Sequence, residues 1–141
     1  MKLYRVMALV LAVLMMACVV VACDSEKEPE VTKTSIKVSF TIKDGAEGEI
    51  IEHDGEYEYS YNADETPTVT DVLIDFCEMY ELDLEFKDET NEVVTKIGNK
   101  TAGKGEYWTY SHNGTYDKKT TMYQEVVADG SKIVIFLGSL N

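Results

Sequence analysis

The sequence predicts an α+β domain in which a mixed β-sheet packs on a single helix, behind an N-terminal membrane-targeting segment. Three observations predict it. Apolar and polar residues alternate at period two over several short segments, the mark of half-buried strands. Only one segment of the same region switches to the period of a helix. Beyond the leader, the most continuously apolar stretch lies close to the end of the chain, and such a run suits a central strand covered on both faces.

The first strand is Ile36, Val38, Phe40 and Ile42, alternating with Lys37, Ser39, Thr41 and Lys43. Asp44-Gly45 opens a turn. Glu49 to Glu52 is a second short strand, which His53-Asp54-Gly55 breaks. Tyr57, Tyr59 and Tyr61 then alternate with Glu56, Glu58 and Ser60, so three rings share one face. From Thr68 the spacing changes. Val69, Val72, Leu73, Phe76, Cys77 and Tyr80 form one apolar stripe of a three-turn helix. Pro67 sits at its start, Thr68 is its N-cap, and Asp71 suits the positive helix end. Leu82, Leu84 and Phe86 predict a further strand, and Val93 to Ile97 a short extended piece closed by Gly98-Asn99. Tyr107 to His112 read as a strand ended by Asn113-Gly114, a strong tight-turn signal. Met122 to Val127 precede Asp129-Gly130, and Lys132 to Leu137 form the last strand. Strands surrounding one helix, with the most apolar strand last, predict a β-grasp-like mixed sheet.

Residues 1–22 have the layout of a signal peptide: Lys2 and Arg5 give a positive start, and Val6 to Ala22 carry no charge. The run ends in Val20-Val21-Ala22-Cys23, and a polar stretch from Asp24 to Glu30 follows at once. This resembles the bacterial lipoprotein box. The resemblance implies that the Cys23 thiol receives diacylglycerol and becomes the new N-terminus. It places the protein on the extracytoplasmic face of the cell membrane, held by its lipid. Two acyl chains anchor stably where one holds marginally. Met16-Ala17-Cys18 is a second, weaker candidate, since apolar sequence follows it. An uncleaved transmembrane anchor is the other reading of the run, at the lower limit of spanning length. Residues 23–34 are the lipidated cysteine and a flexible tether, and the domain occupies 35–141. Cys77 is then the lone cysteine of the mature domain, so no intramolecular disulfide forms there. On the apolar face of the helix it acts as a small buried hydrophobe.

All 26 acidic residues follow Cys23, against 11 basic ones once Lys2 and Arg5 are set aside, a formal charge of −15 for the mature part. Phosphate backbones repel such a body, which argues against a nucleic-acid partner and favours cationic or neutral ligands.

The strand Tyr107-Trp108-Thr109-Tyr110, the Asn113-Gly114 turn, Tyr123, and Asp129-Gly130 leading into the apolar last strand together resemble the transcobalamin-like C-terminal domain family. That family is a β-grasp-like module of secreted proteins, and the resemblance spans about residues 35–138. It implies a ligand-binding module with a corrinoid such as cobalamin as the ligand. In transcobalamin-type proteins this domain closes over cobalamin held against a separate helical domain, which this chain lacks. The sequence departs from the pattern at His112, where the family has an apolar residue, and at Ser131, where an acidic residue follows the glycine.

The aromatic set is the most site-like feature, because rings give large contact area at small entropic cost. Trp108, Tyr110, His112 and Asn113 are the expected ligand-binding residues; burial of Trp108 and Tyr110 under the helix is the competing expectation. The alternative function is a surface protein-interaction or adhesion module using a strand edge and the Tyr57/Tyr59/Tyr61 stripe. An accessory domain of a hydrolase is a weaker third option. His53 and His112 are too isolated to predict a metal site. The carboxylates Glu47, Glu49, Glu52, Asp54, Glu56 and Glu58 lack the dense loop of a calcium site. No phosphate-binding Gly-rich loop, HExxH or GxSxG element is present. No catalytic residue, cofactor or metal is therefore expected, and the protein is not expected to be an enzyme. The Asn99-Lys100-Thr101 and Asn113-Gly114-Thr115 sequons matter only in a eukaryotic secretory pathway.

Overall fold

Eleven consecutive residues, Lys33–Lys43, extend as strand β1, and the rest of the fold is assembled on both of its sides. In a computed structural model, the described residues are 30–46 and 48–140, with no side-chain description for residues 50–54. The leader, Cys18, Cys23 and most of the tether lie outside these residues, as do Glu47 and the side chains of Glu52, His53 and Asp54. In chain order the elements are β1, β2 (Ile50–Asn62), helix α1 (Val69–Met79), β3 (Leu84–Phe86), β4 (Val94–Ile97), β5 (Lys100–Thr101), β6 (Glu106–His112) and β7 (Lys132–Ser139).

The main sheet has the order β2-β1-β7-β6. β1 runs antiparallel to β2 and parallel to β7, while β6 and β7 are antiparallel. The sheet is therefore mixed, with the apolar last strand in its interior, and one helix packs on it. A smaller antiparallel sheet, β3-β4-β5, stands apart. This is the α+β, β-grasp-like architecture that the periodicities predict.

Both β1 and β2 differ from the sequence reading. β1 starts at Lys33, within the stretch expected as tether, because Lys33 and Thr34 find ladder partners in Asn62 and Tyr61. β2 is one strand of 13 residues where two were expected. Gly55 does not break it, since it lies opposite Phe40 in the ladder. The bend falls instead at register shifts beside Ile42. A long partner strand thus overrides the low strand propensity of His53-Asp54-Gly55.

Residues directly opposite across a ladder share a face, so the inner face collects Tyr57 from β2, Val38, Phe40 and Ile42 from β1, Ile133, Ile135 and Leu137 from β7, and Trp108 and Tyr110 from β6, all buried. Val69, Val72, Leu73, Phe76 and Cys77 of α1 are buried with them. Phe76 packs 4.8 Å from Phe40 and edge-on at 5.3 Å from Tyr57, between ring centroids. On the outer face Tyr107 lies over Gly138, where an added Cβ would come within 2.8 Å of the ring.

The start of α1 is closed twice. Thr68 Oγ1 accepts from the Asp71 amide, and Asp71 Oδ2 accepts from the Thr68 amide at 2.8 Å, a reciprocal capping box. Segment 122–127 then lies across the first turn: Val69 N–H donates to Glu125 O and Thr70 N–H to Met122 O, while Val127 N–H donates to Pro67 O. These bonds satisfy amides that an isolated helix leaves unpaired. Replacing Thr68 by Ala should lower the unfolding free energy by ~1 kcal/mol. Urea unfolding followed by circular dichroism measures it, and an unchanged midpoint would show that the crossing segment alone suffices.

Candidate functional site

β6 is an edge strand of the main sheet, and a cleft runs along its open side. Its walls are Tyr107 to Tyr110, segment 116–122 and Glu92-Val93, and its volume is about 230 Å³. The polypeptide folds this way because both faces of β6 carry rings: Trp108 and Tyr110 turn into the core, Tyr107 outward. The Tyr107 and Tyr116 hydroxyls are 3.1 Å apart, and Tyr116 meets Phe136 edge-on at 5.9 Å, which fixes the loop after β6 over the outer face. That hydroxyl pairing holds the Tyr107 phenol above its ordinary pKa. Both backbone groups of His112 bond to Thr115, away from β7. By ladder alternation, Trp108 and Tyr110 turn their N–H and C=O groups to that same open side.

Trp108 is 5 % exposed, and its indole Nε1–H is buried with no hydrogen-bond acceptor. An orphaned buried donor costs about 1–3 kcal/mol unless water or a ligand satisfies it. Tyr110 is 3 % exposed and donates from its hydroxyl to Thr120 O and Glu125 Oε2, each at 3.2 Å. Burial, then the Glu125 charge, pushes its pKa well above the ordinary value of 10.0.

The structure does not bring all four expected ligand-binding residues to one surface. Trp108 and Tyr110 line the cleft. His112 and Asn113, at the far end of β6, belong to a polar cluster that Tyr110 joins only through Glu125. His112 Nδ1 is 2.5 Å from Glu125 Oε1, and its Nε2 is 2.9 Å from Ser131 Oγ. Asn113 accepts from the Lys132 amide at 2.8 Å and directs Nδ2 toward His112 Nε2, at 3.4 Å. Glu125 was not singled out by the sequence reading. Nothing in its spacing marks it, since it meets His112 only because segment 122–127 pairs with the helix start.

The tyrosine stripe faces the helix. Tyr57 is buried and its hydroxyl donates to Asp75 Oδ2 at 2.5 Å. Tyr59 and Tyr61 are half-buried and stacked, with centroids 5.7 Å apart and planes at 10°. They border two hollows, of about 200 and 320 Å³, which Asp71, Asp75, Glu65 and Glu78 also line. Burial, then the charges of Asp71 and Asp75, pushes Tyr59 up to about 12. Of the carboxylates considered for calcium, Glu56 pairs with Lys37 at 3.3 Å and Glu58 accepts from Ser35 at 2.9 Å. Among the described residues, no group of three His, Cys, Asp or Glu side chains is placed to hold a metal ion.

No protein-family model and no curated protein matches the chain. Solved structures of similar fold include haptocorrin in complex with Cbi, at 13 % identity and a TM-score of 0.50. The match covers 77 % of this chain and 26 % of haptocorrin, so the chain spans about a quarter of that protein. A protein from Ruminococcus gnavus, provisionally assigned as metal binding, matches at 17 % identity and a TM-score of 0.47, over 75 % of this chain and 99 % of its own. At 13 % identity the likeness to haptocorrin is one of fold alone, over about a quarter of that protein.

Proposed function

We propose that the chain is a lipid-anchored, extracytoplasmic ligand-binding module, with a corrinoid as the ligand class and Trp108 and Tyr110 at the contact. The observation that carries this reading is Trp108, which lines the β6 cleft and whose indole N–H is buried without an acceptor. A ligand oxygen that reached it would satisfy a donor that the protein leaves unpaired. The fold shared with part of haptocorrin, itself in complex with Cbi, favours the corrinoid class. The cleft's 230 Å³ is below the range of about 300–1,000 Å³ that encloses a small molecule. This domain would therefore hold one edge of a corrinoid, and a second surface would complete the site. Cys23 would keep that arrangement at the membrane.

Titrating the full chain in mild detergent with cobalamin and with cobinamide tests it. Saturable quenching of Trp108, the sole tryptophan, is expected in the micromolar range, with affinity lost in Tyr110→Ser. A flat titration would remove the corrinoid reading.

A surface-interaction module is the second reading, and the stacked Tyr59/Tyr61 pair beside Asp71, Asp75 and Glu65 favours it. Aromatic faces beside carboxylates suit the cationic side chains of a protein partner. Tyr57 takes no part in such a surface, being buried.

A further inference from the structure

We propose that Ser131, His112 and Glu125 form a nucleophilic site able to take an acyl group from a small neutral ester. The three side chains come from three places: Ser131 from the turn before β7, His112 from the end of β6, and Glu125 from the segment crossing the start of α1. Ser131 Oγ is 2.9 Å from His112 Nε2, and His112 Nδ1 is 2.5 Å from Glu125 Oε1. This is the linear order of a nucleophile, a general base and the group that orients the base, recognised by geometry and not by chain position.

The hydrogen bonds suit one arrangement of the protons. The Ala128 amide donates to Ser131 Oγ at 3.0 Å, so the hydroxyl keeps its own proton for another acceptor. With His112 Nε2 as that acceptor, the ring carries its proton on Nδ1, facing Glu125. Glu125 is held in turn by the Tyr110 hydroxyl at 3.2 Å, and its backbone carbonyl by Val69 N–H. Ser131 is equally rigid: its carbonyl accepts from Ser39 N–H at 2.8 Å and its amide donates to Ala128 O at 3.0 Å. Asn113 supplies a further donor. Its oxygen is pinned by the Lys132 amide, so Nδ2 faces the imidazole, and the residue is held at φ 50° in an exposed turn.

A clasp for the turn would be complete with Ala128 and Ser131 alone. It does not call for an imidazole bonded at both nitrogens to a hydroxyl and a carboxylate. Ser131 is 5 % exposed, and the His112 and Glu125 side chains are 17 % and 24 % exposed, so approach is narrow. A short acyl chain suits so narrow an approach. The chain's formal charge of −13 disfavours anionic esters.

In the first step Ser131 Oγ attacks the ester carbonyl carbon and its proton passes to His112 Nε2. Asn113 Nδ2–H is the donor offered to the developing oxyanion. The carbon–oxygen bond then breaks, and the alcohol leaves with the proton from Nε2, leaving the acyl group on Ser131. Water next gives a proton to Nε2 and attacks the acyl carbon. The acid departs, and the proton returns to Ser131.

Incubating the full chain in detergent with a fluorophosphonate probe, followed by peptide mass mapping, tests this. One label per chain on Ser131 is expected, at a rate that rises with pH and then levels off, as a general base requires. Ser131→Ala should abolish labelling. His112→Gln should slow it roughly 100-fold or more, the size of a general-base contribution. Thermal melts check that both variants fold, and the pH profile of the unaltered chain decides the matter if they do not. An unlabelled wild type, a label elsewhere, or a rate that ignores pH or His112 would overturn the proposal.

Discussion

Phe40→Ala should lower the unfolding free energy by about 3–5 kcal/mol, the range for a large side chain removed from a packed core. Phe40 has no exposed surface, and it sits where β1 passes under the helix. Its ring lies 4.8 Å from Phe76 and 6.3 Å from Tyr57, so truncation opens a hole between the sheet and α1. Neither neighbour is free to fill it. Tyr57 is tied to Asp75, and Phe76 is fixed by the helix and by Tyr80 at 4.5 Å. Whole domains are stable by about 5–15 kcal/mol, so this one change removes a large fraction of the margin. Urea unfolding should show a lower midpoint with an unchanged slope. Met79→Ala is the contrast, since Met79 is 66 % exposed and should cost at most about 0.5 kcal/mol. Equal losses for the two variants would mean that α1 does not pack on β1 as described.

Raising the pH above 10 should unfold the domain cooperatively, because its buried tyrosines resist ionisation. Tyr57 is pushed well above its ordinary 10.0 by burial, then by its hydrogen bond to Asp75. Tyr110 is pushed up by burial and by Glu125. In both, the folded state holds its proton more tightly than the unfolded chain does. The stability from each is therefore complete below pH 10 and is lost as pH rises toward the folded value. One pH unit corresponds to about 1.4 kcal/mol per group, so the pair accounts for about 5 kcal/mol between pH 10 and 12. Phenolate absorbance should rise together with loss of the circular-dichroism signal. The double variant Tyr57→Phe, Tyr110→Phe should unfold at a higher pH than wild type. Smooth titration of every tyrosine with the fold intact would count against this account of the core.

The ring-bearing strands show how much of the site was legible. Trp108 and Tyr110 are in phase along the sequence, so their shared face could be read directly, and they do line the cleft. His112 keeps the same phase but serves a different cluster, because the chain leaves the sheet there and turns at Asn113-Gly114. Glu125 was invisible. It becomes a partner of His112 and Tyr110 through a backbone pairing with Val69, and no local pattern encodes that meeting. The expected break at His53-Asp54-Gly55 also failed, since strand propensity is a local quantity and the ladder to β1 is not.

Local periodicity settled much of the fold: the first strand, the helix with its Thr68 cap, the two strands at the end of the chain, and which of their residues face the core. These follow from the chain's own geometry, since side-chain direction repeats every two residues in a strand and every 3.6 in a helix. Tertiary structure alone decided that β1 lies between β2 and β7, that segment 122–127 closes the helix start, and that Ser131, His112 and Glu125 meet. Those outcomes depend on contacts between residues distant in the chain, whose energies no short window of sequence contains.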